Sequence, residues 1–196
     1  MEPFVTVSGP TVSLPAANID TDIIFPARFL VITEKRGLGR YAFHDRPDLT
    51  LPPDVQILVA GENFGCGSSR EQAPWALVDR GIRAIIAPGF GEIFQSNCFK
   101  NGILPIVLSA DTVDRLHAAA RGGEPFTVDL ERQEIRLPQA GIFVFAVDPA
   151  RREALLSGLD EIGRIHRQFA PAIADFENNQ RTAAPWLWST EQGAPA

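Results

Sequence analysis

Residues 61–77 read GENFGCGSSREQAPWAL, and this stretch decides how the rest of the chain is interpreted. It follows a β-branched apolar run at residues 56–60 and leads into a segment with helical spacing. The pattern predicts a strand, a glycine-rich loop and a helix, in that order. Because glycines let a backbone approach a ligand and the N–H groups of a first helical turn attract anions, the stretch predicts an anion site lined by Gly65, Cys66 and Gly67.

Polar side chains crowd the end of this loop. Ser68 and Ser69 stand where the loop is predicted to become helix, so each is a candidate N-cap and each offers a hydroxyl to a ligand. Arg70 adds a guanidinium fork that suits a carboxylate or a phosphate. A capped helix after a glycine turn is the simpler interpretation, but a cap requires neither a second serine nor the arginine.

Composition sets bounds on partners and location. The 196 residues suffice for one sizeable core, predicted as a single domain at 1–180 with a tail at 181–196. A net charge of −6 and a pI near 5.1 disfavour a nucleic-acid binder, which needs clustered cations. No apolar run has the length of a membrane span and no secretion signal is apparent, so a cytoplasmic protein without membrane partners is predicted.

The two cysteines, Cys66 and Cys98, suit a reducing compartment. They are too few to build a four-cysteine zinc or iron–sulfur site, so the sequence predicts no metal bound by this chain. Both are interpreted as unpaired thiols, with Cys66 lining the site.

The order of the predicted elements favours an α/β fold. Apolar strands at 56–60, 82–88 and 104–108 alternate with helices at 90–100 and 111–121, which predicts right-handed crossovers and a parallel sheet. The loops at 61–69 and 88–91 should then meet at one edge of that sheet. The remaining predicted elements are a first strand from Phe4 to Gly9 continued by Val12–Leu14, an antiparallel meander over residues 125–147, and helices at 149–156 and 160–178.

Other segments suggest a site or a surface. Asp20 and Asp22 are predicted in a loop that positions a substrate or caps a helix from Pro26. Residues 33–53 form a long polar segment, interpreted as a functional loop, a partner surface or a solvated connection.

The apolar face of 160–178 is predicted to pack against the domain or a partner, and the tail with Trp186 and Trp188 to dock onto a neighbour. His117 and His166 are interpreted as surface residues.

Three motifs in the right order carry a resemblance. The segments 63–71, 18–30 and 94–102 resemble those of the small subunits of 3-isopropylmalate dehydratase, the separately encoded swivel domain of the aconitase superfamily. The resemblance implies an α/β fold, a swivelling β/β/α domain with a parallel central sheet, an additional antiparallel sheet and C-terminal helices. It also implies a hydro-lyase that interconverts 2- and 3-isopropylmalate in leucine biosynthesis.

The resemblance further implies roles for individual residues. Ser68 corresponds to the base that removes a proton next to a carboxylate, Ser69 and Arg70 to substrate contacts, and Asp22 to an active-site aspartate. Gln72 lines the site where family members usually carry histidine. The other substrate-binding candidates are Arg28, Lys35 and Arg36, with the register of the last two left open.

Cofactor and partner also follow from the resemblance. The family carries its [4Fe–4S] cluster on a separate large subunit, so this chain should bind no cofactor, be inactive alone, and act with that subunit on a small dicarboxylic hydroxy acid. The alternatives are the small subunit of a homoaconitate, citraconate or maleate hydratase, and a non-catalytic regulatory or RNA-binding relative. A serine hydrolase is disfavoured because residues 65–69 do not form a Gly-x-Ser-x-Gly turn.

Overall fold

The structure is a computed structural model that describes residues 1–49 and 51–188. The chain divides into two compact units, Met1–Gly158 and Leu159–Ala196, and the second is described as far as residue 188. The described strands are β1 (Thr6–Gly9), β2 (Thr11–Leu14), β3 (Ile57–Ala60), β4 (Ala84–Ala87), β5 (Leu104–Val107), β6 (Phe126–Asp129), β7 (Glu134–Leu137) and β8 (Gly141–Val144). The described α-helices are α1 (Thr21–Ile24), α2 (Gln72–Asp79), α3 (Glu92–Lys100), α4 (Ala110–Arg121), α5 (Pro149–Ser157) and α6 (Glu161–Ala183).

The central sheet is parallel, with strand order β2-β3-β4-β5. Every residue of β3 and β4 is buried, as expected when both faces of a parallel sheet are covered. Successive side chains point to opposite faces, so Leu58 and Ile85 pack in one core with residues of α2 and α3, while Ile57 and Ile86 pack in a second core. The predicted parallel sheet is confirmed, with β2 as an additional edge strand.

The second sheet is antiparallel, with strand order β1-β6-β7-β8. Its buried residues alternate along β6 and β7, and Val128 and Ile135 share the second core with Ile57, Ile86 and residues of α4. This sheet and α4 thus cover one face of the central sheet, and α2 and α3 cover the other. The predicted fold class is confirmed.

The first two strands belong to different sheets. β1 pairs with β6, whereas β2 pairs with β3. The prediction that Val12–Leu14 continues the first strand is therefore wrong. Pro10 separates the two strands and has no N–H to donate to a ladder, so the chain leaves one sheet there and joins the other.

Helix α2 begins later than predicted. Its N-cap is Glu71, which has helical backbone angles and makes no side-chain capping bond, so neither Ser68 nor Ser69 caps the helix. Pro74 explains the difference, because proline is tolerated only in the first turn, where its missing N–H is not needed. A helix capped at Ser69 would place Pro74 beyond that turn. The two serines therefore stay in the loop.

Asp20 begins a helix earlier than predicted. Its carboxylate accepts a hydrogen bond of 2.7 Å from the Ile23 N–H, which caps the single-turn helix α1. Asp22 therefore lies in this helix rather than in a loop. Pro26 precedes only one 3₁₀ turn, Ala27–Phe29, and not the predicted helix.

His117 is buried, contrary to the prediction. It lies on the apolar face of α4, is only 4% exposed, and its Nδ1 is 2.8 Å from the Ser13 hydroxyl on β2. Burial, followed by the nearby Arg121, lowers the pKa of His117, because a charged imidazolium loses hydration inside the core. The histidine therefore joins α4 to the edge strand of the central sheet.

Helix α6 belongs to the second unit and is kinked. Phe169 has non-helical angles and Pro171 lies inside the helix, where it removes a backbone hydrogen bond. The predicted apolar face includes Ile162 and Phe176, which are 67% and 64% exposed. That this face packs against the domain or a partner stays a prediction, as do the docking of the tail onto a neighbour and the boundary at residue 180. Residues 189–196 of the tail lie outside the described residues.

Of the described helices, none is long and apolar enough to cross a membrane.

Candidate active site

The glycine loop lies beyond the C-terminal ends of β3 and β4. Phe64 forms an isolated parallel bridge with Phe90: its N–H donates to the Gly89 carbonyl at 3.0 Å and its carbonyl accepts from the Gly91 N–H at 2.9 Å. The loops at 61–69 and 88–91 therefore meet at one sheet edge, as predicted. Ligands of open α/β sheets bind at such an edge.

Close packing requires glycine at two points of this junction. Gly65 has φ +73°, and a Cβ added there would lie 2.2 Å from the Phe94 ring. A Cβ added at Gly91 would lie 2.4 Å from the Gly65 carbonyl oxygen. The loop can follow this path against α3 only with hydrogen at both positions.

Gly65→Ala is expected to destabilise the protein more than Gly37→Ala. Both glycines have positive φ, but nothing lies within 4 Å of a Cβ at Gly37. The alanine at 37 adds only left-handed strain of about 1–2 kcal/mol, whereas the alanine at 65 adds the same strain and, in addition, overpacking of about 1–3 kcal/mol. Urea unfolding of both variants measures the difference, and equal losses would contradict the close packing at Gly65.

Helix α1 holds the loop from one side. The Thr21 N–H donates to the Cys66 carbonyl at 2.9 Å, and the Thr21 hydroxyl donates to the Ser68 carbonyl at 3.0 Å. Asp22 forms an ion pair with Arg70 Nη1. Consecutive residues of α1 thus contact the backbone at 66 and 68 and the side chain at 70.

Ser68 lies in a groove of about 180 Å³ between the loop and the start of α3. Ser68 and Ser69 are both exposed. Among the described residues, no backbone oxygen accepts from the N–H groups of Gly67, Ser68 or Ser69. The groove therefore presents a hydroxyl together with free backbone donors. Its other lining residues are Gly65, Gly67, Gly91, Glu92, Ile93 and Phe94.

Arg70 follows Ser68 by two residues in the chain and carries a positive charge. Its side chain is 17% exposed, and only Nη1 contacts Asp22 in the described residues. A guanidinium has five N–H donors in a fixed fork, so Nε and Nη2 retain donors for an incoming carboxylate. The arrangement can hold a carboxylate and accept a proton on a neighbouring serine.

Comparison with known proteins places the chain in a family. The family described as the aconitase C-terminal domain matches residues 52–111. The 3-isopropylmalate dehydratase small subunit of Rhodospirillum centenum is 48% identical over 201 residues, which cover 95% of this chain and 98% of that protein.

This chain belongs to the family of 3-isopropylmalate dehydratase small subunits. The small subunit of Erythrobacter litoralis is 48% identical over 99% of this chain and 100% of its own length. The crystal structure of 3-isopropylmalate dehydratase (LeuD) from Methanocaldococcus jannaschii matches with a TM-score of 0.71 and 25% identity, covering 87% of this chain and 99% of that one. The predicted resemblance is confirmed, and the name small subunit implies a larger partner.

The thiols of this family member do not suit an iron–sulfur cluster. Cys98 is fully buried, and burial raises its pKa well above the usual value, which disfavours the thiolate that a cluster needs. Cys66 is half-buried and has no disulfide partner. Within residues 1–49 and 51–188, no three His, Cys, Asp or Glu side chains are grouped to hold a metal. This chain therefore does not fit the cluster.

Arg28 pairs with Asp45 and is not among the residues that line the Ser68 groove. Its guanidinium donates to both Asp45 oxygens at 2.5 and 2.6 Å and lies 3.1 Å from His44 Nδ1. Arg28, followed by His44, lowers the pKa of Asp45 to about 2 by hydrogen bonding to the carboxylate. A substrate contact by Arg28 remains a prediction and would require another anion to compete with Asp45.

Lys35 and Arg36 line a different cavity from Ser68. That cavity measures about 180 Å³ and includes Trp75, and the Lys35 ammonium lies 4.3 Å from the centre of the Trp75 ring. The candidate site around Ser68 consists instead of Asp22, the loop from Gly65 to Ser69, and Arg70. Gln72, which is partly buried, is the first residue of α2. The predicted roles of Lys35 and Arg36 remain predictions.

Two residues of the site were not identified in the sequence. Glu92 lines the groove beside Ser68 from the first turn of α3, and Thr21 contacts the loop backbone. Glu92 could have been placed at the start of a helix, because it is acidic and directly follows Gly91. Thr21 gave no such signal, because its partner is a carbonyl 47 residues away.

Proposed function

We propose that this chain is the small subunit of a 3-isopropylmalate dehydratase, which interconverts 2- and 3-isopropylmalate by dehydration and rehydration in leucine biosynthesis. The observation that carries the proposal is the convergence of Ser68 and Arg70 on one loop, which α1 holds at the carboxyl edge of the parallel sheet. The membership in the small-subunit family supports the choice of reaction.

Ser68 is the proposed base. Dehydration begins by removing a proton from the carbon next to a carboxylate, and a serine can do so only if its alkoxide is stabilised. The free N–H groups at residues 67–69 supply positive potential beside the exposed hydroxyl, and Arg70 adds a positive charge two residues further along the loop. Arg70 binds a substrate carboxylate with its free donors, and Ser69 offers a second hydroxyl.

Asp22 acts through Arg70 in this proposal. A carboxylate that touched a dicarboxylate substrate directly would repel it, whereas one paired with Arg70 Nη1 orients the guanidinium. We therefore propose a positioning role for Asp22, and a direct contact between Asp22 and the substrate stays a prediction.

The large subunit is proposed to supply the iron–sulfur cluster. The resemblance assigns to it the [4Fe–4S] cluster, whose chemistry is the Lewis-acid assistance that a departing hydroxide needs. The contribution of this chain is binding the carboxylate and holding the proton at Ser68 Oγ. We expect the chain alone to be inactive, and the assembly to work in the cytoplasm on a small dicarboxylic hydroxy acid; the acidic composition of this chain disfavours a nucleic-acid partner, and no membrane partner is expected.

A related hydratase is the second candidate. Gln72, rather than histidine, follows the Ser68–Glu71 motif and is partly buried at the start of α2. An amide at position 72 lacks the titratable ring of histidine, which is compatible with a different substrate, such as the tricarboxylate homoaconitate or the dicarboxylates citraconate and maleate.

Co-expression with the large subunit of the same organism, followed by anaerobic cluster reconstitution, tests the proposal. The assembled enzyme is expected to interconvert the isopropylmalates, while either subunit alone should not. The assay should also include homocitrate-type and methyl-substituted malates. Hydration of citraconate without activity on isopropylmalate would replace the proposed substrate.

A further inference from the structure

We propose that Thr21 is a positioning residue, which fixes the orientation of the Ser68–Ser69 peptide and thereby of the reacting hydroxyl. The inference rests on the proposed function, because it assigns Thr21 a part in the same reaction. It starts from the contact between α1 and the loop, in which a buried side chain holds the backbone of Ser68.

The Thr21 side chain is committed to this contact. The residue is 2% exposed, and its hydroxyl donates to the Ser68 carbonyl at 3.0 Å. A buried hydroxyl without an acceptor is unfavourable, so this bond is expected to persist in the folded protein. The Thr21 N–H adds a bond of 2.9 Å to the Cys66 carbonyl.

Holding one carbonyl sets the direction of the next N–H. A trans peptide is planar, with its C=O and N–H pointing to opposite sides. The bond to Thr21 therefore directs the Ser68 carbonyl toward α1 and the Ser69 N–H away from it. Since that N–H donates to no backbone oxygen among the described residues, it remains a donor for negative charge on Ser68 or on the substrate.

The loop needs such an anchor because its own sequence does not fix this peptide. Gly67 precedes Ser68 and has φ +91°, a region open to glycine but rarely to other residues. The free energy difference between backbone orientations around a glycine is small. An external hydrogen bond from a rigid, buried side chain selects one of them.

Contacts other than the Thr21 hydroxyl hold α1 in place. That helix is capped by the Asp20 carboxylate at 2.7 Å from the Ile23 N–H, and the Ile24 carbonyl accepts from the Phe43 N–H at 2.9 Å. Ile24 and Phe25 are fully buried behind it. A valine at position 21 should therefore leave α1 in place and remove only the bond to Ser68.

The test compares Thr21→Val with Thr21→Ser, which keeps the hydroxyl. Thr127→Val is the matched control, because Thr127 accepts a 2.9 Å bond from Ser8 in the antiparallel sheet. In the assembled enzyme, we expect Thr21→Val to lower kcat by roughly 10- to 50-fold with little change in KM, since misplacing a reacting group slows the chemical step more than binding. Thr21→Ser should recover most of the activity, and Thr127→Val should match the wild type.

Amide hydrogen exchange on the small subunit alone gives a readout without activity. Exchange in the segment where α1 meets the start of the loop, in which the Thr21 and Gly65 N–H groups donate to the Cys66 and Ile19 carbonyls, should accelerate on the order of 10-fold in Thr21→Val, because a local contact is lost, while the rest of the protein keeps its protection. Unchanged exchange in this segment, unchanged kcat, or a Thr21→Ser variant as impaired as Thr21→Val would overturn the inference. If the wild-type assembly lacks isopropylmalate activity but loop exchange responds as expected, the proposed function fails and the anchoring by Thr21 stands.

Discussion

Replacing Ser68 by alanine is expected to lower turnover of the assembled enzyme by about 100- to 10,000-fold, the usual contribution of a general base. The fold should survive, because Ser68 is exposed and no described residue bonds its hydroxyl. Its carbonyl, which Thr21 holds, is unchanged by the substitution. Steady-state kinetics with reconstituted large subunit measures the loss, and gel filtration checks that the variant still assembles.

Ser8→Ala is the matched control for this experiment. Ser8 is also an exposed serine, but its hydroxyl contacts Thr127 in the antiparallel sheet. We expect wild-type turnover for Ser8→Ala. Normal turnover by Ser68→Ala in an enzyme of confirmed assembly would contradict the assignment of the base.

Replacing Arg70 by glutamine is expected to lower kcat/KM by about 10- to 150-fold, because a hydrogen bond to a charged group contributes about 1.5–3 kcal/mol. The substitution removes the fork that holds the substrate carboxylate and also leaves Asp22 without its ion pair. Arg70→Lys keeps the charge but loses the planar fork, so its kcat/KM should lie between that of the wild type and that of Arg70→Gln.

Arg46→Gln controls for loss of a paired arginine elsewhere. Arg46 donates to both oxygens of Asp48 at 2.9 and 2.7 Å, and this exposed pair lies in the polar segment at residues 33–53. We expect nearly wild-type kinetics for this control. An Arg70→Gln enzyme that retains wild-type kcat/KM, or an Arg46→Gln enzyme with the same loss, would exclude the carboxylate-binding role.

The expected losses differ in kind because the two side chains act at different steps. Ser68 takes part in proton transfer, so its loss should appear mainly in kcat. Arg70 binds the ground state as well as the transition state, so its loss should raise KM too. Kinetic constants measured separately for both variants thus test the division of roles within one loop.

Local patterns predicted the elements and the composition of the site. The apolar runs before Gly61 and Pro88 predicted the two fully buried strands β3 and β4, because parallel strands covered on both faces need continuous apolar sequence. The alternation from residue 125 predicted the antiparallel sheet. The serines and Arg70 stand within one short segment, so their proximity needed no tertiary information.

Predictions failed where distant contacts decide. His117 shares the helical spacing of the buried Val113, Leu116 and Ala120, but its hydrogen-bond partner, Ser13 on β2, lies more than a hundred residues earlier in the chain. The predicted cap of α2 is wrong for a local reason instead, because Pro74, the third residue of that helix, limits where the helix can begin. The pairing of Arg28 with Asp45 is likewise not indicated by composition alone, and the substrate contact of Arg28 stays a prediction.

Periodicity and neighbouring residues are enough to predict the fold class, the loop from Gly61 to Leu77 and the chemical groups that it carries. How that loop is held depends on contacts that form only in the folded chain. Thr21 and Asp22 reach Ser68 and Arg70 from 47 and 48 residues away, and Gly65 packs on Phe94 of another helix. Such contacts depend on which strands lie side by side, and hydrogen bonds between distant segments leave no periodic trace in the chain.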